Sequence, residues 1–158
     1  MGEVLGQIST VNKCLEHFEF PIPKIELILQ NLMMYSVFSE LDLAEGFNQL
    51  RVSKALQQIF TFTCTNGKVS LNLKVLPFGV FWAMSIFQST MYDLFIELFT
   101  RCIQIYVDNL GVHSHSRIEH LQHLQETCSI YRDTNLHVRK DKCNFKTPWD
   151  LQLWSQKI

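Results

Sequence analysis

Two aspartates in this 158-residue chain stand where predicted strands end, and their side chains have the chemistry of a metal site. Asp42 ends the short strand predicted at residues 36–42, and Asp108 begins a predicted tight turn with Asn109. If neighbouring strand ends bring the two carboxylates together, they offer the oxygen ligands that Mg²⁺ prefers, with substrate phosphates as further ligands. Two such ions could hold the attacking and leaving oxygens of a phosphoryl transfer. Turn geometry alone also explains an Asp in a hairpin, and the spacing leaves both interpretations open.

The helices that must support these acids follow from the spacing of apolar residues. Helical patterns cover residues 25–33, 82–99 and 116–135. The first follows Pro21 and Pro23, which suit a helix start, and the third begins with a capping box of Ser116 and Glu119. We therefore expect three helices, of which the second is long and buried.

Strands and hairpins separate these helices. Asn66-Gly67, between alternating runs at residues 59–64 and 69–75, is the strongest hairpin signal in the chain. A second hairpin is predicted to turn at Asp108-Asn109. The order helix, strand, hairpin, helix, hairpin, helix is typical of the α+β class, with an antiparallel sheet covered by helices on one face.

Composition predicts a single globular domain over residues 1–158. Hydrophobic residues make up 47% of the chain and charged residues 18%, which is enough for one packed core. No apolar run is as long as a membrane helix and the N-terminus does not resemble a secretory signal, so we expect an intracellular protein of the cytoplasm or nucleus. The five cysteines are scattered, which indicates reduced thiols. A net charge of −1 gives no basic footprint for nucleic acid.

Four histidines raise the alternative of a zinc site: His113, His115, His120 and His123. Their spacing matches no recognised structural zinc pattern, and no Cys lies among them. His120 and His123 are one turn apart in the predicted third helix. Zinc is therefore the weaker interpretation of this cluster.

Five motifs follow one another along the chain. They are Phe20–Glu26, Phe38–Leu50, Val75–Val80 with Phe87-Gln88, Ile105–Asn109, and a final group of Ser114, Glu119–Leu121 and Lys142–Phe145. Over about residues 11–145 the chain resembles the reverse transcriptases of gypsy-type LTR retrotransposons. The resemblance implies a partial domain made of the palm, with its antiparallel sheet, and part of the fingers, including a β-hairpin. The thumb and RNase H are expected to be absent.

The resemblance implies a role for each matching residue. Asp42, Asp108 and Asn109 would be catalytic, and the two aspartates would hold two Mg²⁺ or Mn²⁺ ions. Phe47 would lie under the sugar and reject a 2′ hydroxyl, and Lys142 would approach the leaving pyrophosphate. The nucleotide and template site would further include Gln49, Pro77, Phe78, Gly79 and Tyr106. A core aromatic and a solvated lysine are the alternative interpretations of Phe47 and Lys142.

The implied function is RNA-directed DNA polymerisation, by two-metal nucleotidyl transfer onto a primer 3′ hydroxyl. Its partners would be an RNA or DNA template with a primer, deoxynucleoside triphosphates, and the remainder of a polyprotein with thumb, RNase H and integrase. No membrane partner is implied.

The chain also departs from the family pattern. Asn109 stands where the family has a second acid, and Trp82 and Met84 make the surroundings of the nucleotide loop bulkier. Loss of one aligned charge at a phosphoryl-transfer centre costs roughly 3–4 kcal/mol, or about 10²–10³-fold in rate. We therefore expect activity impaired by truncation and by Asn109. The alternative is a non-catalytic remnant of a decayed element that acts only as a folded or interaction domain.

Overall fold

The fold is that of a computed structural model, which describes residue 12 and residues 19–63, 70–77 and 79–146. The chain divides into two compact units. The hairpin unit comprises residues 1–20 and 45–87, and the sheet unit comprises residues 21–44 and 88–158. Composition predicts that the two units belong to a single domain, and this stays a prediction.

Six strands and six helices make up the described elements. The strands are β1 (Val37–Asp42), β2 (Thr61–Thr63), β3 (Ser70–Asn72), β4 (Ile103–Tyr106), β5 (Asn109–Ser114) and β6 (Asn144–Lys146). The helices are α1 (Ile25–Leu32), α2 (Gly46–Gln49), α3 (Lys54–Ile59), α4 (Ala83–Leu94), α5 (Ile96–Phe99) and α6 (Arg117–Asp133). Within these ranges no helix has both the length and the apolar character needed to span a bilayer.

The sheet unit is built on four antiparallel strands in the order β4-β5-β1-β6. One face of this sheet belongs to the core, because Ile103, Ile105, Leu110 and Val112 are fully buried and Leu41 is 2% exposed. The register places Leu110 between Leu41 and Ile105, so that these side chains share that face. This arrangement confirms the predicted α+β class with its antiparallel sheet.

Helices pack on this sheet from the sequence regions expected. The α6 helix contacts β5 and β1, and its Tyr131 ring meets Phe95 edge to face, with 5.2 Å between centroids. The predicted capping box of Ser116 and Glu119 starts α6. The predicted second helix is interrupted, since Phe95 at the start of α5 has non-helical backbone angles. That residue is fully buried, so packing outweighs helical continuity there.

The first helix, α1, lies on the other face of the sheet. Its buried residues Ile28 and Leu32 form a cluster with Leu29, Phe38 and Tyr106. Phe38 and Tyr106 occupy the strand positions that alternate with the core residues, and the antiparallel register puts both on one side. The α1 helix therefore forms a second apolar cluster, on the face of the sheet opposite the core. The spacing of its apolar residues predicted a buried side but not the strands against which that side packs.

In the hairpin unit, β2 pairs with β3 in antiparallel register, with Thr61 opposite Asn72 and Thr63 opposite Ser70. This confirms the pairing predicted for the first hairpin. Its predicted turn, Asn66-Gly67, lies outside the described residues. A further bridge joins Arg51 to residue Val75, beyond the end of β3.

The histidine cluster forms hydrogen bonds to serines inside the sheet unit. The Ser114 hydroxyl lies 2.9 Å from His120 Nδ1 and 2.8 Å from His123 Nδ1, and the Ser39 hydroxyl lies 2.8 Å from His120 Nε2. All four side chains are buried. Among the described residues, no group of three or more His, Cys, Asp and Glu side chains is arranged to hold a metal ion. These two imidazoles therefore act as partners of buried hydroxyl groups.

The remaining two histidines flank Tyr35. The ring of His113 lies 4.0 Å from the Tyr35 ring and that of His115 lies 4.6 Å from it, measured between centroids. His113 is 3% exposed, and neither of its ring nitrogens has a hydrogen-bond partner among the residues that the structure describes. Burial, followed by the neighbouring imidazoles of His123, His115 and His120, lowers the pKa of His113 to about 4.

We predict that the free energy of unfolding falls as the pH is lowered from 6.5 to about 4. The unfolded chain binds the proton near the ordinary histidine pKa of 6.5, whereas the folded chain binds it only near pH 4. The contribution of His113 is therefore complete above pH 6.5 and is lost as the pH falls to about 4. Its upper limit is about 3 kcal/mol, and urea denaturation at several pH values measures it.

The matched control is His113→Phe, which keeps a ring against Tyr35 but cannot bind a proton. This variant should lose less stability on acidification than the parent. Some loss should remain, because burial also lowers the pKa of His120. Equal losses in parent and variant would contradict the assignment to His113.

Candidate active site

The two aspartates singled out by sequence lie at one end of the sheet unit. Asp42 is the last residue of β1 and stands opposite Asn109, the first residue of β5. Asp108 directly precedes Asn109, and its carbonyl oxygen accepts a hydrogen bond from the Leu43 N–H at 3.4 Å. The structure therefore brings Asp42 and Asp108 to neighbouring strand ends, where both are half-buried.

The turn that carries Asp108 differs by one residue from the turn expected. Tyr106 pairs with Asn109, so the two turn residues are Val107 and Asp108, and Asn109 already belongs to β5. Asp-Asn is the better local turn sequence, but the tertiary contacts of β4 and β5 set the register. The prediction that Asn109 is in the turn is therefore wrong.

Val107 has a backbone angle that is rare for its residue type. Its φ is 52°, in the left-handed region, where a β-branched side chain crowds the backbone. The Val107 N–H donates to Gln88 Oε1 at 2.8 Å, and Gln88 Nε2 donates to the Ile105 carbonyl at 3.1 Å. Gln88 belongs to one of the five sequence motifs, which by itself predicted no role for this residue. The feature of the sequence that could have indicated a role is a single amide on the otherwise apolar face of the predicted second helix.

A segment after α6 supports the other side of Asp42. The Arg139 N–H donates to the Asp42 carbonyl at 2.8 Å, and Leu43 forms a bridge with Val138. Burial raises the pKa of the nearby Cys143 thiol, although a hydrogen bond from the backbone of Asp42 opposes this shift. The backbone of Asp42 is thus held by β5 on one side and by this segment on the other.

Two further predicted site residues belong to the sheet unit. Tyr106 is half-buried and packs in the cluster of Ile28 and Leu32. Lys142 has an exposed side chain, and its N–H donates to the Arg139 carbonyl at 2.9 Å. A lysine at the surface agrees with either of the interpretations considered for it.

The remaining predicted site residues belong to the hairpin unit. Phe47 in α2 stacks on the buried Phe87, with ring centroids 4.7 Å apart. Gln49 is half-buried in the same short helix, Pro77 is buried, and Gly79 is exposed with a φ of 90°. Phe78 lies outside the described residues. The stacking of Phe47 on Phe87 favours its interpretation as a core aromatic and is also compatible with a role beneath the sugar.

Asn12 is a residue of this unit that sequence analysis gave no role. Its Nδ2 donates to the Gly79 carbonyl at 2.9 Å, and its Oδ1 accepts from the Phe81 N–H at 3.0 Å. It therefore fixes the loop around Gly79 by two hydrogen bonds to the main chain. No local pattern could have revealed a contact between residues 67 positions apart.

Comparison with known proteins decides the family of this chain. The family described as Reverse transcriptase (RNA-dependent DNA polymerase) matches residues 4–157. The chain belongs to the reverse transcriptase family. This result confirms the resemblance and the fold class inferred from the motifs.

Two kinds of relative agree with this assignment. The Transposon Tf2-7 polyprotein of Schizosaccharomyces pombe is 28% identical over 135 residues, which are 85% of this reverse transcriptase chain and 10% of the polyprotein. The chain thus spans about a tenth of the length of the curated relatives it matches.

Solved structures of the foamy viral protease-reverse transcriptase are also similar. One, in complex with ds DNA, has a TM-score of 0.77 and 26% identity over 88% of this chain and 24% of that one. Another, in complex with RNA/DNA hybrid, has a TM-score of 0.74 and 26% identity over 87% of this chain and 18% of that one.

The packing of Phe47 leads to a prediction for this reverse transcriptase chain. Phe47→Ala should lower the free energy of unfolding by about 2–3 kcal/mol, because it removes the stacked ring from Phe87. Phe81→Ala is the control, since that ring is 67% exposed and its removal should change stability by less than about 0.5 kcal/mol. Urea denaturation measures both, and similar losses would argue against a packing role for Phe47.

Proposed function

We propose that this reverse transcriptase chain is the part of an RNA-directed DNA polymerase that binds the catalytic divalent ions, with Asp42 and Asp108 as carboxylate ligands. The register of β1 and β5 carries the proposal, because it sets Asp42 opposite the residue that follows Asp108. The family match over residues 4–157 supports the reaction class.

The residues at this end of the sheet fit a hard divalent cation. Mg²⁺ is bound in such sites by one or two carboxylates, with waters and substrate phosphates as its other ligands. Asp42 and Asp108 supply two carboxylates, held on backbone that is hydrogen-bonded to neighbouring strands. The bound ions would supply charge neutralisation for the phosphates of the incoming nucleotide. Rigid strand ends suit this task, because positioning dominates catalysis of phosphoryl transfer.

The other residues serve to position the substrates. Tyr106 would support the turn at Asp108 through its packing against α1, and Lys142 would approach the leaving pyrophosphate. Phe47 would exclude a 2′ hydroxyl, and the other residues of the nucleotide and template site would be Gln49, Pro77, Phe78 and Gly79. The deoxynucleoside triphosphate and primer are the substrates proposed for these side chains.

The nucleic-acid partner is proposed by analogy with the foamy viral enzyme, which was solved with ds DNA and with RNA/DNA hybrid. The chain's net charge of −1 gives little general attraction for phosphates. Because the chain spans about a tenth of the Tf2 polyproteins, we propose that further domains of a polyprotein contribute additional contacts to the template and primer.

Asn109 limits the activity of this site. Its amide is a neutral oxygen ligand and binds a hard cation less well than a carboxylate does. At the start of β5 it directly follows Asp108 and faces Asp42 in the ladder. We propose that this amide impairs catalysis, at a cost of roughly 3–4 kcal/mol of transition-state stabilisation.

We predict that Asn109→Asp increases the rise in melting temperature caused by millimolar Mn²⁺. A second carboxylate adds charge beside the ion, and Asn and Asp are similar in shape, so the fold should scarcely change. Asp108→Ala should show the smallest rise. Thermal unfolding with and without Mn²⁺ measures the effect, and Asp133→Ala, which removes an exposed acid at the end of α6, should match the parent. Equal shifts in all four proteins would contradict a metal site here.

Primer extension tests the function directly. The purified chain is given an RNA template, a DNA primer, deoxynucleotides and Mg²⁺ or Mn²⁺, and products are resolved by length. We expect slow, short extension by the parent, more by Asn109→Asp, and none by Asp42→Asn or Asp108→Ala. If neither the parent nor Asn109→Asp extends the primer, the non-catalytic remnant is the better description of the chain.

A further inference from the structure

Gln88 is a polar side chain on the buried face of a helix. In α4 it lies beside Phe87 and one turn before Met91, and each of the three exposes 1% of its surface. A buried amide destabilises a protein unless its N–H and C=O groups find partners. Both groups of Gln88 find them in the sheet unit, on the backbone of β4 and of the turn that follows it.

The two hydrogen bonds serve the edge of the sheet. Among the described strands, β4 has a neighbour, β5, on one side only. An edge strand leaves alternate backbone groups without partners in the ladder. Gln88 accepts from the Val107 N–H at 2.8 Å and donates to the Ile105 carbonyl at 3.1 Å. Its amide thus replaces a short piece of a neighbouring strand, next to the turn.

Val107 needs such support more than most turn residues. The favoured two-residue hairpin turns have a positive φ at their first residue, which Gly or Asn usually provides. Here that residue is a valine with a φ of 52°. A disfavoured backbone angle persists only where surrounding contacts hold it, and the hydrogen bond to Gln88 is such a contact.

We propose that Gln88 is a positioning residue for Asp108, because its amide holds Val107 at positive φ and so sets the direction in which the next residue leaves the turn. The proposal that Gln88 holds Val107 is based on the two hydrogen bonds and needs no metal ion. The consequence for a metal ion at Asp108 rests on the proposed function. A residue that merely fills the core would stabilise the whole sheet unit and would have no particular effect on the turn.

Amide hydrogen exchange separates these two roles without any metal. In Gln88→Met, which preserves size but has no amide, exchange at the Val107 N–H should accelerate at least tenfold relative to the His113 N–H. The His113 N–H is a suitable reference because it donates to Cys102 in the same β4–β5 ladder, at 2.9 Å. Thr127→Val is the control for a lost buried hydrogen bond elsewhere, since Thr127 donates to the His123 carbonyl within α6. Equal acceleration at Val107 and His113 in Gln88→Met would overturn the proposal.

A conservative variant keeps the test informative if Gln88→Met does not fold. In Gln88→Glu the introduced carboxyl, when protonated, can accept from Val107 and donate to Ile105 as the amide does. Protection of the Val107 N–H relative to that of His113 should therefore be near the parent value at low pH. A ratio well below the parent's at low pH, where the carboxyl is protonated, would overturn the proposal.

A second substitution tests whether Gln88 acts through the conformation of Val107. Glycine adopts positive φ without steric cost, so Val107→Gly should make the turn less dependent on the amide. The Mn²⁺-induced rise in melting temperature should fall by more than half in Gln88→Met and recover most of that loss in the double variant with Val107→Gly. The mechanism would be overturned if Gln88→Met reduced the Mn²⁺-induced rise in melting temperature equally in the parent and in the Val107→Gly variant.

The two readouts distinguish failure of this proposal from failure of the proposed function. If the parent shows no Mn²⁺ shift that depends on Asp108, the proposed metal site is wrong, and the exchange data still decide whether Gln88 holds the turn. If the parent binds Mn²⁺ and Gln88→Met binds it equally well, Gln88 does not position Asp108.

Discussion

The antiparallel pairing of β1 with β5 is the constraint on which the sheet unit depends. Six residue pairs join these strands, from Val37 opposite Ser114 to Asp42 opposite Asn109. Because side chains alternate between the faces of a sheet, a slip of one residue would move Leu41 out of the core and bring polar neighbours into it. The same register that buries Leu41 therefore determines which residues meet at the strand ends. Core packing and the candidate site are two results of one alignment of strands.

Polar groups inside this unit are held by tertiary contacts that connect distant parts of the chain. Ser39 and Ser114 face α6 and meet His120 and His123 there, while Gln88 reaches the backbone of β4. Each such contact avoids the cost of burying an unpaired polar group. It also specifies which helix belongs against which strand, which apolar packing alone would define less sharply.

Much of the fold could be predicted from local patterns, because alternation and helical spacing report burial directly. The capping box at Ser116, the pairing of β2 with β3 and the position of Asp42 at a strand end are examples. The turn before β5 was misplaced by one residue, since Asp-Asn is a good turn sequence but the observed turn begins at Val107. The roles of Gln88 and Asn12 depend on contacts across 19 and 67 positions, and no local pattern contains that information. The roles assigned to Phe47 and Lys142 come from family resemblance, and geometry alone would not have suggested them.

The serine and histidine network also restricts where protons can sit. Ser114 has a single O–H and lies beside Nδ1 of both His120 and His123, so its hydroxyl can donate to one ring at most. If both contacts are hydrogen bonds between neutral groups, at least one of these rings must be the Nδ1–H tautomer. When that ring is His120, its Nε2 is an acceptor, and the Ser39 hydroxyl must then point its proton at it. The tautomer of a histidine on α6 is in this way coupled to the orientation of a hydroxyl on β1.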